Sequence, residues 1–552
     1  MKDVADIVIV GSGASGAAAA WRLSRDCALR IVCLEQGGRA DPAAYPSTRT
    51  DWELERAGAF SSNPAVRLSA ADYPIDDSAS PISIANYNGF GGSTILYSAH
   101  FPRFHPSDFR TRSLDGVGED WPLAYEDLQP WFGENERMMG VAGLVGDTAN
   151  PDYETLLPPV PLGEAGRAMA RAFNTLGWHW WPSYAAINTH RHGNRGVCVN
   201  IGPCNTGCAQ GAKASVDVTY WPAAQRQGVE VHTGCRVREI TLDARGLANG
   251  VVYFDAQGRE QRLDARVVVL ACSGIGTPRL LLNSKSSTFP EGLLNDHGLV
   301  GRNLMLHPLA YTEGVFEDNL RSSFGPHGAC MLSQQFYETS RERDFVRGYT
   351  MQVLRGAPPA ETAVSGYFMR QVPLGSDHHR RFAQLYNHTV GIAVISEDLP
   401  ERDNRVELDF EHCDSSGMPG VKVFYRLGEN TKRMLKHGID MSKEVFAAAG
   451  AKVVSSFGPV RHTGWHLMGT TRMGDDPATS VVNRHGQAHA VKNLFIVDSS
   501  IFVTSGAVNP VATAQALTLM ASDWIARNLD ALLNDRAGAT HNVIPPAMME
   551  AQ

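Results

Sequence analysis

The sequence predicts an α/β (α+β) chain: a doubly wound domain whose strands are interrupted by a second, discontinuous, sheet-based domain. Three observations carry this. The chain opens with a strand, a glycine turn and a helix in immediate succession; a second unit of the same kind returns near residue 266; and the block 310–455 is rich in alternating strand candidates.

The opening unit is the most specific. Asp6-Ile-Val-Ile-Val10 is a short, β-branched apolar run of the type buried on both faces, and Gly11-Ser-Gly13-Ala-Ser-Gly16 follows at once, leading into an alanine-rich helix. The first glycine permits a tight turn, the second lets backbone N–H groups approach a pyrophosphate, and the third lets helix and strand pack closely. A second strand, Arg30-Ile-Val-Cys-Leu34, ends in Glu35, at the distance of about 20 residues where an acid meets a ribose diol. Together these predict a Rossmann-like dinucleotide site.

Farther on, Asn88-Gly-Phe-Gly-Gly-Ser-Thr94 is a second glycine loop, too late to belong to the first unit. Residues 112–195 carry mixed helical patterning, with an amphipathic helix expected over 164–175. Strands are expected over 229–241 and 250–270, with turn chemistry at 246–250, and 266–282 repeats strand, glycine turn and helix. The resulting division is 1–111, 196–309 and 456–530 for the dinucleotide domain, 112–195 for a cap segment, 310–455 for the substrate domain and 531–552 for a tail. Strand candidates at 406–410 and 421–425 are assigned to the substrate domain, and helices are expected over 429–449 and 513–529.

Bulk properties exclude more than they identify. The formal net charge of −8, from 50 basic and 58 acidic residues, comes without a basic stripe and argues against nucleic acid as partner. No run reaches the ~18 apolar residues of a membrane span, and the chain enters a strand without a visible signal segment. A cytoplasmic location is the expectation, with export on a partner subunit as the alternative. Nine cysteines are too few for a disulfide scaffold. Cys198, Cys204 and Cys208 stand apart because they cluster. Near the carboxyl end, His466-Leu-Met-Gly-Thr-Thr-Arg-Met-Gly474, an apolar strand ending at Asp498, and Val508-Asn509-Pro510 place a histidine and an asparagine on either side of that strand.

These motifs together resemble the glucose–methanol–choline (GMC) oxidoreductases, from about residue 6 to residue 529. Within that family the likeness is to the branch of pyranose oxidases, glycoside 3-oxidases and bacterial sugar dehydrogenases. The resemblance implies FAD, held at Gly11, Gly13, Ala14, Ser15 and Gly16, with Glu35 and Gln36 at the adenosine end and Val237 meeting the adenine through its backbone. It places Gly91, Gly92, Ser93 and Thr94 along the flavin, and adds Ala271, Asp498, Ser499, Asn509, Pro510 and Thr513. Several relatives attach FAD through a histidine in the flavin loop; this chain has Leu96 there, so FAD is expected to be noncovalent. His100 lies close by but out of register.

Oxidising an alcohol needs a base for the hydroxyl proton and a group that fixes the reacting oxygen. By that reasoning and the family register, His466 is the expected base and Asn509 its partner, with His462 a candidate pocket residue and the aromatic cluster 178–181 a candidate sugar platform. The expected substrate is a sugar, glycoside or aminosugar, with a simpler aliphatic or aromatic alcohol as the alternative; oxygen or an external acceptor, including an electron-transfer subunit, would take the electrons. Cys198, Cys204 and Cys208 match the spacing by which some relatives hold an iron–sulfur cluster, although Ala209 stands where those have proline. A catalytically silent flavin-binding subunit is disfavoured by the intact His466 and Asn509.

Overall fold

The computed structural model describes residues 4–25, 29–154, 156–368 and 370–534. Its first layer is a seven-stranded sheet in the order Glu230–Thr233, Ile31–Glu35, Val4–Val10, Glu260–Leu270, Ala248–Phe254 and Arg236–Leu242, with Leu494–Ile496 also paired to Glu260–Leu270. Pairing is parallel from Glu230–Thr233 through Glu260–Leu270 and antiparallel beyond it. The central run Ile7, Val8 and Ile9 has no exposed surface, as expected of a parallel strand covered on both faces.

Helix Ala14–Ser24 owes its fit to its small side chains. Its run of four alanines, Ala17 to Ala20, is fully buried and lets helices Val511–Arg527 and Tyr220–Arg226 come close. A buried ion pair, Arg22 to Asp523 at 2.5 Å, ties the two ends of the chain together. The expected strand-turn-helix repeat is present as Glu260–Leu270 followed by Ser273–Asn283. The turn expected at 246–250 closes earlier: Ala248 to Gly250 already belong to a strand, because the side chain of Asp243 accepts backbone N–H bonds from Arg245 and Leu247 and completes the reversal there.

The second layer is a six-stranded antiparallel sheet, ordered Val453–Phe457, Leu309–Val315, Thr389–Ser396, Tyr349–Leu354, Met331–Ser333 and Trp181–Pro182. One face packs on helices Gly163–Leu176 and Glu429–Ala449, burying Ala310, Met351, Val353, Ile392 and Val394 against Phe173, Met434 and Phe446. Alternation then sends Leu309, Tyr311 and Glu313 to the other face, where a large cavity lies.

Two differences from the sequence reading have physical causes. The strands Arg405–Cys413 and Pro419–Phe424 do not join the substrate sheet; with Ile75–Ala79 they form a separate three-stranded sheet that packs on helix Ser273–Asn283. Alternation shows that a strand has a buried face but not which sheet it covers. The segment 112–195 likewise divides: helix Tyr125–Met139 packs on Val511–Arg527, whereas Gly163–Leu176 and the edge strand Trp181–Pro182 serve the antiparallel sheet. The expected tail starts later than residue 531, since a helix spans Leu529–Asn534; residues 535–552, like Cys27, lie outside the described residues.

Candidate active site

The two glycine loops meet backbone to backbone. Gly92, at φ +56°, faces Gly13 so closely that a Cβ on Gly92 would sit 2.7 Å from the Gly13 Cα, and a Cβ on Gly16 would sit 1.9 Å from the Gly11 carbonyl oxygen. Side chains are excluded here by geometry. Gly13 caps helix Ala14–Ser24 without a side chain, so the first-turn N–H groups point at an anion site.

A cavity of about 800 Å³ begins at this turn. Gly11, Gly13, Ala14 and Ser15 line it, as do Glu35 and Gln36 at the end of the second strand. Gly92, Ser93 and Thr94 contribute the second loop, with Val237 on strand Arg236–Leu242 and Ala271 just past the end of strand Glu260–Leu270. Asp498, Ser499, Asn509 and Pro510 close the far wall. Three expected residues stay out of the lining: Gly16 and Gly91 shape the loops, and Thr513 accepts the Phe104 N–H at 3.3 Å.

Glu35 is held in place from both sides. Its carboxylate accepts the Ser12 N–H at 2.9 Å, the Ser12 hydroxyl at 2.7 Å and the Gly37 N–H at 2.8 Å. Burial raises its pKa while those bonds oppose the shift. Asp498 accepts from the Ser273 N–H and the Thr277 hydroxyl, which locks the carboxyl end of its strand onto helix Ser273–Asn283.

At the other end of the cavity, a bridge between Met305 and Met468 is antiparallel, which puts His307 opposite His466. Their Nδ1 atoms lie 2.9 Å apart. The Nε2 of His307 faces two carbonyls, Ser505 at 3.0 Å and Gly506 at 2.7 Å, so that nitrogen must be the donor. His307 Nδ1 is then the acceptor, His466 Nδ1–H donates to it, and the lone pair of His466 falls on Nε2. Asn509 Nδ2 stands 3.4 Å from that Nε2, and Gln352 Nε2 donates to Asn509 Oδ1, fixing the amide with its NH₂ toward the histidine.

Both histidines are kept neutral. Burial, followed by the fields of His307 and His100, pushes His466 well below the ordinary histidine range, and burial pushes His307 down to about 4. A neutral imidazole with an unprotonated Nε2, beside an amide donor, can take a proton from a hydroxyl.

Matches to two protein-family models, both described as GMC oxidoreductase, cover residues 5–309 and 400–518. The chain belongs to the GMC oxidoreductase family. It is therefore an oxidoreductase, and the resemblance read from its motifs stands. Among similar proteins are 2-methyl-1,2-propanediol dehydrogenase of Mycolicibacterium austroafricanum, 37% identical across 98% of this chain and 99% of the relative, and paromamine 6'-oxidase of Streptomyces fradiae, 29% identical across 95% and 92%. The fructose dehydrogenase large subunit of Gluconobacter japonicus is 27% identical across 95% and 98%. The solved structure of pyridoxine 4-oxidase from Mesorbium loti shares the fold, with a TM-score of 0.65, 18% identity and coverage of 95% of this chain and 99% of that one.

In this GMC oxidoreductase several expected pocket residues lie elsewhere. His462 is exposed and does not line the cavity. The 178–181 cluster is structural: Trp178 packs on Phe336, His179 bonds Asp147, and the Trp180 and Trp181 indoles donate to Asn174 and to the Leu144 carbonyl. Conversely, His307, Gln352 and the buried His100 lie around His466 and Asn509. Of the three, His307 ends the run Val300-Gly-Arg-Asn-Leu-Met-Leu-His307, one of the motifs by which the chain resembles the family, and its partner cannot be read from that run.

Cys198, Cys204 and Cys208 do come together, close enough for their charges to act on one another. The buried Lys213 lies beside Cys204 and Cys208, and its Nζ donates to the carbonyls of Thr94, Ile95 and Tyr97, at 3.3, 2.6 and 3.0 Å. This ties the cysteine loop to the second glycine loop. Burial raises the Cys204 thiol to about 12 and lowers Lys213 to about 8. Among the described residues no helix is long and apolar enough to cross a membrane.

Proposed function

We propose that this protein oxidises an alcohol to a carbonyl with noncovalently bound FAD, His466 removing the hydroxyl proton and Asn509 holding the reacting oxygen. The observation that carries this reading is the hydrogen-bond chain from the Ser505 and Gly506 carbonyls through His307 to His466, which leaves a lone pair on His466 Nε2 inside the cavity. FAD supplies the acceptor for the hydride lost from the carbinol carbon. The residues present suit that cofactor: bare first-turn N–H groups for a pyrophosphate, Glu35 for a ribose, and a cavity that runs on to His466. Leu96 lines it and has no atom that could bond to the flavin. Acid precipitation should leave yellow flavin in the supernatant; colour kept by the protein contradicts the noncovalent reading.

On the substrate, the wall formed by Leu309, Leu354, Ala393 and Ile395 supports an aliphatic alcohol, in line with the propanediol-oxidising relative. The polar far end, with Arg56, Glu313, His327 and Glu361, supports the sugar or aminosugar reading. Anaerobic bleaching of the flavin across a panel of diols, glycosides and aminosugars distinguishes them, and admitting air then separates oxygen from an external acceptor. No bleaching by any alcohol overturns the assignment.

The cysteine loop supports a second, separable proposal, an iron–sulfur cluster on Cys198, Cys204 and Cys208 passing electrons to an acceptor subunit. The neighbouring Lys213 ammonium opposes part of the burial effect that raises the Cys204 thiol. The three sulfurs are not all within 4.8 Å of one another, a spread that suits a cluster, which takes one thiolate per iron. Stoichiometric iron and acid-labile sulfide in anaerobically purified protein support it; their absence ends it.

A further inference from the structure

Glu313 sits on strand Leu309–Val315, on the face that lines the cavity. The only side-chain hydrogen bond to it among the described residues is from the Tyr311 hydroxyl, at 3.3 Å. No Lys, Arg or His pairs with it there. Glu361, also lining the cavity, is neutralised by its ion pair with Arg56, and His327 is kept uncharged by burial. This end of the cavity thus carries one carboxylate more than it has cations.

The carboxylate has aromatic company. Gly391 pairs with Glu313 across the sheet, and the Tyr311 ring lies over it so closely that a Cβ on Gly391 would be 2.3 Å from the Tyr311 hydroxyl. Phe457 pairs with Tyr311 on the other side, with ring centroids 5.7 Å apart. An uncompensated carboxylate in a partly dry site is costly, and burial with the field of Glu361 pushes Glu313 up to about 7. A carboxylate with aromatic rings close by suits an ammonium, which gains a charge-assisted hydrogen bond and cation–π contact.

The sheet sets the reach. Gln352, which holds Asn509, pairs with Ala393, and Ala393 pairs with Tyr311, two residues short of Glu313. With ~4.8 Å between strands and ~3.4 Å per residue, Gln352 and Glu313 stand about 12 Å apart.

We propose that this end of the cavity is an ammonium subsite, in which Glu313, Tyr311 and Phe457 hold the amine of an amino alcohol or aminosugar whose distant hydroxyl reaches His466 and Asn509. The inference rests on the alcohol-oxidising reading and names its substrate class. The carbinol carbon gives its hydride to FAD and its hydroxyl proton to His466, becoming a carbonyl, while the amine is unchanged.

The test compares linear amino alcohols of four to twelve carbons with the diols that carry hydroxyl in place of the amine, on the holoenzyme at a pH where the amine is charged. Wild type should prefer the amino alcohol in kcat/KM by ~10-fold or more at one optimal length, as expected for a charge-assisted hydrogen bond. Glu313→Gln should erase that preference, and Glu313→Asp should keep it. Calorimetry with n-alkylamines, which cannot be oxidised, reads the subsite without turnover and should show binding to wild type weakened ~10-fold or more by Glu313→Gln. A wild type indifferent to the amine at every length, or a preference that survives Glu313→Gln, overturns the proposal. Oxidation of neither series would instead defeat the alcohol-oxidising reading, and the alkylamine titration would still decide the subsite.

Discussion

At the dinucleotide end of the cavity the decisive contacts are between backbones: Gly16 on Gly11, Gly92 on Gly13. At the substrate end they are between side chains brought from distant places, with His307 against His466 and Gln352 against Asn509. A backbone contact admits no added atom, so it demands glycine at fixed positions. A side-chain network demands only that its members converge, and almost any sequence separation can deliver that.

The largest effect expected from this contrast is at Gly16. Gly16→Ala pushes a methyl group into the Gly11 carbonyl, and the purified protein should contain little or no flavin by its absorbance. A variant with full flavin content would break the claim that backbone contact defines that end.

The substrate end should respond in degrees. His307→Leu leaves the His466 Nδ1–H without an acceptor in a buried site, a loss of about 1–3 kcal/mol, or ~5–150-fold in flavin reduction rate. Because His307 acts by orienting His466, kcat should fall more than KM rises. An equal effect on both, or none, would make His307 a packing residue only.

The smallest effect is on pH dependence. His466 is active when neutral, and its pKa is held well below 6.5 by burial and then by His307 and His100. Flavin reduction should therefore stay level as pH falls through 6.5 and decline only below it. Stopped-flow traces across that range check this; an acid limb centred near 6.5 would show an exposed, ordinary histidine.

The same contrast explains what could be read beforehand. The Gly11-to-Gly16 turn, Glu35 and the helix Glu429–Ala449 were legible because each is set by local spacing. The pairing of His466 with Asn509 was expected from the family register, not from geometry, and the structure does bring the two side chains together, 3.4 Å apart. Gln352 and His100 carried no signal, since each reaches the site by the pairing of its strand or loop with a remote partner. The small sheet of Ile75–Ala79, Arg405–Cys413 and Pro419–Phe424 was misplaced for the same reason: strand pattern does not name the neighbour.

The central claim is that His466 takes the hydroxyl proton. The most direct measurement is the anaerobic rate of flavin reduction by an alcohol substrate in wild type and His466→Ala at matched flavin content. A fall of ~10²–10⁴-fold is the predicted result for a lost general base; an unchanged rate would contradict the account.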